Sequence, residues 1–124
     1  MKKIFITLMI LMLISPAKVK ADEFHSVWAT AYNITGTTAA GQQTKEGRTV
    51  ASRPEWFGAT MYVWEDPGDG EIHPENFIGI YVVEDTGSKN IREGKVIDVY
   101  ISDLQRAKEF GSKKVIIQIV ESEG

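Results

Sequence analysis

Phe77-Ile78-Gly79-Ile80-Tyr81-Val82-Val83-Glu84-Asp85-Thr86-Gly87-Ser88 is an apolar run that ends in two carboxylates and a turn. Its β-branched and aromatic residues predict a strand over Phe77 to Glu84. Phe77, Tyr81 and Val83 occupy one parity, and Ile78, Ile80 and Val82 the other. A strand apolar on both parities is expected to be covered on both faces, which a small closed barrel achieves. A second strand is expected over Lys95 to Ile101, and its run Val96-Ile97-Asp98-Val99-Tyr100 carries an aspartate in its interior. A charge there costs free energy unless it is paired, hydrogen-bonded or protonated. Asp98 is therefore the residue that most needs a reason.

The rest of the chain supplies partners for these two strands. Val27 to Asn33 predicts a first strand, and Thr35 to Gly47, rich in Gly, Thr and Gln, a loop. Arg48 to Ala51 predicts a short strand, Ser52-Arg53-Pro54-Glu55 a turn leading to Gly58, and Ala59 to Trp64 a further strand. Glu65-Asp66-Pro67-Gly68-Asp69-Gly70 is a turn, and Lys113 to Val120 the last strand. One helix is expected, capped by Ser102 with Gln105 completing a capping box and Gly111 ending it. The predicted fold class is all-β: about six short strands closing into a small barrel with one short helix.

Lys2-Lys3, the apolar stretch Ile4 to Ile14 and Val19-Lys20-Ala21 have the form of a secretory signal peptide, predicting removal of residues 1–21. The apolar stretch is too short to span a bilayer as an ordinary helix, and Lys18 and Lys20 follow it closely, against an uncleaved anchor. Residues 22–124 then form one domain with a modest core, secreted to the cell wall or periplasm and without stable membrane insertion. The chain has no cysteine, so neither a lipid-modified cysteine nor a disulfide framework is available. Without Lys2, Lys3, Lys18 and Lys20, ten of the 14 basic residues face 17 acidic ones, a net charge of −7. That balance argues against nucleic acid or anionic lipid as partner and leaves a neutral glycan open.

Taken in order, Ala29-Thr30-Ala31-Tyr32, Thr38-Ala39-Ala40-Gly41, Thr49-Val50-Ala51, Gly58 to Val63, Asp85-Thr86-Gly87, Ile97-Asp98-Val99-Tyr100 and Ala107 to Gly111 resemble the 3D domain. That family, named for three aspartates, is similar to the catalytic domain of membrane-bound lytic transglycosylase A. The resemblance covers essentially all of residues 22–124 and implies a six-stranded double-psi β-barrel. It implies cleavage of the bond between N-acetylmuramic acid and N-acetylglucosamine in peptidoglycan glycan strands, with a 1,6-anhydro product. The substrate's own C6 hydroxyl is the nucleophile in that chemistry, so a single carboxyl can serve as acid and then base. The resemblance puts Asp98 in that role, Asp85 beside it as a partner able to orient it or raise its pKa, and Thr30, Tyr32, Thr86 and Gly87 near the substrate. An ordinary Asp titrates near ~3.9 and holds no proton at neutral pH. An upward shift for Asp98 is therefore required.

Two departures bear on activity. The family's first aspartate follows Val-Ala and precedes Pro, where this chain has Val50-Ala51-Ser52-Arg53-Pro54. An arginine directed into the site would lower neighbouring carboxylate pKa values and oppose the acid role. Asp85 and Asp98 also lie two residues further apart than is usual in that family, an excess that a loop can absorb.

Other readings compete for the same residues. Asp85-Thr86-Gly87-Ser88 also resembles the aspartic protease motif, but only 39 residues follow Asp85, scant room for a flap and later strands. Asp-Thr-Gly is also a strand-ending turn whose Asp bonds its own backbone, and Asp98 a structural residue bonded to loop amides. His25 and His73 lack ligand spacing, and Asp66, Asp69 and Glu71 lack that of a calcium loop, so the latter read as a solvated hairpin tip. No metal and no cofactor is expected. Trp28, Trp56, Trp64, Tyr32 and Tyr100 can stack on sugar faces, although in a small chain most aromatics belong to the core. A non-catalytic glycan-binding barrel and a small secreted or phage-borne interaction protein remain as alternatives on the same scaffold.

Overall fold

A computed structural model of the chain describes residues 23–121; the expected signal peptide, residues 1–21, lies outside the described residues. The strands are β1 (Glu23–Tyr32), β2 (Thr49–Ala51), β3 (Thr60–Glu65), β4 (Phe77–Asp85), β5 (Val96–Tyr100) and β6 (Lys113–Val120). The helices are α1 (Lys89–Arg92) and α2 (Leu104–Phe110), with 3-10 turns at Pro54–Trp56 and Pro74–Asn76. No helix among the described residues is long and apolar enough to cross a membrane.

The strands close in the order β1-β5-β2-β4-β3-β6, and β6 returns to β1. Pairs β1/β5 and β2/β4 are parallel, while the other four are antiparallel. This is the expected double-psi barrel of six strands. Closure leaves no unpaired sheet edge, which lets strands as short as β2 persist.

Alternation along each strand fills the interior. Val27 and Ala29 of β1, Met61 and Val63 of β3, Ile97 and Val99 of β5, and Val115, Ile117 and Ile119 of β6 are all buried. Trp56 and Ala59 join this cluster from the β2–β3 connection, and the His25 ring lies 5.0 Å from the Trp56 ring.

Four local expectations need correction. The first strand begins at Glu23 rather than Val27, because residues from Glu23 onward pair with β6, a partner that local sequence does not reveal. The helix is capped by Asp103, not Ser102, with Asp103 accepting the Arg106 N–H at 2.8 Å. Ser102 is engaged instead by the Glu46 carboxylate, to which its N–H and hydroxyl both donate at 2.8 Å. Strand β4 is not covered on both faces: Phe77 is 43% and Ile80 49% exposed, because the outer wall is only partly covered. The Ser88 to Lys95 segment, expected as plain loop, contains α1, which takes up the extra length between Asp85 and Asp98. Gly111 does close α2, at a φ of 67° that favours glycine.

Candidate functional site

Strand register brings the sequence-distant aspartates together. Ala51 of β2 is the register partner of Asp98 on β5 and of Asp85 on β4. The two acidic strands thus flank one alanine, whose methyl group leaves the space between them open. On the far side of β5, Thr30 of β1 is the register partner of Asp98. The β1–β2 loop forms the outer wall, giving a cleft of about 630 Å³ that includes Tyr32, Ile34, Asp85, Thr86, Ile91 and Asp98. Gly87 and Ala51 also line it, whereas Thr30 reaches it only through its bond to Asp98.

The two carboxyls are held differently. Asp98 Oδ1 accepts the Thr30 hydroxyl at 2.9 Å. Burial pushes its pKa above the ordinary aspartate value; the Thr30 hydrogen bond opposes this, and the Asp85 charge adds to the rise. Asp85 Oδ2 accepts the Tyr32 hydroxyl at 2.9 Å, and its Oδ1 accepts the Ala39 and Thr86 N–H groups, each at 3.0 Å. The turn-type backbone bond anticipated for Asp-Thr-Gly is therefore present, alongside two longer-range donors. The Tyr32 phenol is shifted far upward, first by burial, then by its bond to Asp85 and by the nearby charges of Asp85, Asp98 and Glu84. It consequently stays protonated as the donor that fixes Asp85.

The loop wall is tied down around this pair. Thr35 and Tyr100 hydroxyls share a hydrogen bond, and Ala40 N–H donates to Glu84 O at 3.0 Å. Glu84, buried behind the loop, accepts the Thr49 hydroxyl at 2.8 Å and pairs with Arg48 at 3.0 Å. Sequence reading singled out neither Ala51 nor the Arg48–Glu84 pair. No local signal marks Ala51, since its importance is a matter of register; Glu84 carried one, as a second carboxylate ending an apolar run.

Arg53, which stands where the 3D-domain pattern has its first aspartate, does not line the cleft. Its guanidinium bonds Glu55 at 3.0 Å and lies 4.9 Å from the Trp56 ring centroid. Its stem crosses Gly94, where an added Cβ would come within 2.7 Å of Arg53 Cδ. Burial, Thr30 and Asp85, rather than Arg53, set the shift of Asp98.

The remaining candidates lie elsewhere. Asp66 is buried rather than solvated, because its side chain accepts the Gly68 and Gly70 N–H groups at 2.8 and 3.1 Å. Asp69, Glu71 and His73 bring potential ligand atoms within 4.8 Å of one another, and Asp69 and His73 pair directly at 2.7 Å. His25 and His73 border a separate cleft of about 560 Å³ that contains neither Asp85 nor Asp98.

Fold and site together define a small closed double-psi barrel with an acidic cleft on its outer wall. No protein-family model and no curated protein matches the sequence. Among solved structures, the barrel is similar to the crystal structure of MltA from E. coli, with a TM-score of 0.52 and 16% identity. The match covers 72% of this chain but 28% of MltA, so the likeness is one of fold and spans a minor part of the larger protein.

Proposed function

We propose that this protein is a peptidoglycan lytic transglycosylase, with Asp98 as its acid and base. The observation that carries the reading is a half-buried carboxyl, raised in pKa, facing an open cleft beside a second, fully tethered carboxylate. The motif resemblance and the fold shared with MltA support the same class.

In this mechanism protonated Asp98 gives its proton to the glycosidic oxygen as the bond to the muramoyl C1 breaks. The N-acetylglucosamine unit leaves with a new 4-hydroxyl. The Asp98 carboxylate then takes the proton of the muramoyl C6 hydroxyl while that oxygen bonds C1, closing the 1,6-anhydro ring and restoring the acid. No water is consumed, so the second carboxylate of hydrolytic glycosidases is not needed as a base. Asp85 raises the proton affinity of Asp98 and stabilises positive charge developing at C1. Tyr32 keeps Asp85 in place, Thr30 holds one Asp98 oxygen, and Thr86 and Gly87 border the sugar. The proposed setting is outside the cytoplasm, at the cell wall, with glycan strands as partner.

Incubation of the purified protein with cell-wall sacculi, read by mass spectrometry, tests this. Anhydro-muropeptides are expected from the wild type and are expected to vanish in Asp98→Asn. Their absence from the wild-type digest would overturn the enzyme. The second reading, a glycan-binding barrel without catalysis, is favoured by one observation: Arg53 stands in place of the first aspartate of the 3D-domain pattern and turns toward Trp56, leaving no carboxylate there. It predicts retention of the protein on sacculi with no product.

A further inference from the structure

The outer wall of β3 and β4 carries a cluster of rings that the cleft does not use. Tyr62 and Trp64 are nearly parallel, 19° apart with centroids separated by 6.2 Å. Phe77 of β4 closes a triangle, 6.5 Å from Tyr62 and 5.5 Å from Trp64. Ile80, across the ladder from Tyr62, extends the patch. Phe77 and Ile80 are both largely exposed, and α2 packs on β1 rather than over these strands. Contiguous exposed apolar surface of this kind marks an interaction site more often than a scattered leucine does.

Its chemistry narrows the occupant. The register positions around the rings, Ile80, Ile116 and Gln118, carry no charge. A nucleic acid or an anionic lipid surface would call for cations here. Tyr62 and Trp64 carry broad apolar ring faces with a hydroxyl and an indole N–H at the edge. A pyranose ring is complementary to this: one face is rich in C–H, and hydroxyl and amide groups project around its rim. The cleft formed by Asp85 and Asp98 likewise contains no basic side chain.

We propose that Tyr62, Trp64 and Phe77 form a second, non-catalytic carbohydrate subsite, which stacks uncharged sugar rings of a wall polysaccharide against the outer face of β3 and β4. The choice of polysaccharide rests on the glycan reading of the cleft. A chain held at both places would gain affinity through effective concentration, so the platform serves polymer more than fragments.

The test compares the wild type with Trp64→Ala and Phe77→Ser on two probes, insoluble sacculi and a soluble peptidoglycan tetrasaccharide. Co-sedimentation with sacculi is expected to weaken about tenfold in Trp64→Ala, the size of one good aromatic contact. The kcat/KM on the tetrasaccharide should stay at the wild-type value. Phe77, with its exposed ring, provides the variant least able to disturb folding, and near-UV circular dichroism checks both. Unchanged sacculus binding in the two variants overturns the platform. So does wild-type binding to phosphatidylglycerol vesicles that the variants lose, or a wild-type dimer in sedimentation velocity that they dissolve. Cleavage by the wild type and binding by the ring variants are read separately, which keeps the two ideas apart: weakened binding in the ring variants of a protein that cleaves nothing keeps the platform and removes the enzyme. Cleavage with unaffected binding does the reverse.

Discussion

At the scale of the residue, Asp98 sits under opposing influences, burial raising its pKa and the Thr30 hydroxyl lowering it. A carboxyl whose folded pKa exceeds its unfolded one binds more protons in the native state, so stability falls as pH rises through that interval. Asp98→Asn is therefore expected to raise Tm at pH 7, with the gain shrinking to nothing below the ordinary aspartate range, as thermal melts across pH would record. In the proposed mechanism the same protonation controls turnover, which is then expected to decline as pH rises past the Asp98 pKa. Thr30→Val removes the opposing hydrogen bond and is expected to move that decline to higher pH, at a stability loss of about 1 kcal/mol. A pH–rate profile with an unmoved alkaline limb would show that Thr30 does not tune the acid. Arg53 teaches the complementary lesson: its position in the sequence suggested interference, and its direction in space removes it.

At the scale of the element, the start of α2 shows how a local motif yields to tertiary contact. Ser102 and Gln105 have capping-box spacing, yet the Glu46 carboxylate, far away in sequence, takes both Ser102 donors. Arg106 adds to the same carboxylate, and the Glu46 pKa falls to about 2, first through Arg106 and then through Ser102. The helix begins one residue later, on Asp103. Asp103→Ala is expected to cost about 1 kcal/mol in a denaturant titration, the usual value of an N-cap. Gln105→Ala, at an exposed site whose side chain makes only a 3.4 Å contact to Glu109, should change stability by less than about 0.5 kcal/mol. Strand periodicity was more legible, because alternation is a property of neighbours in the chain: β6 runs over the residues expected, and β3, β4 and β5 begin or end within a residue of expectation. The short α1 was not, since four residues have no periodicity to read.

At the scale of the whole molecule, a chain without cysteine depends on its barrel interior. Ile117 is fully buried at the centre of β6, between β1 and β3. Ile117→Ala is expected to cost about 2–5 kcal/mol, a large part of the stability of a domain this size, and to appear as a marked fall in the denaturant midpoint. The sequence by itself determined which segments are strands and where the acidic turn falls, because these follow from side-chain composition and local backbone preference. Tertiary structure alone decided that Asp85 and Asp98 flank Ala51, that Thr30 and Tyr32 become their donors, that Arg53 turns aside and that three rings gather on the outer wall. Those outcomes depend on strand order and register around a closed barrel, and register is fixed by pairing between segments that carry no record of one another in their local sequence.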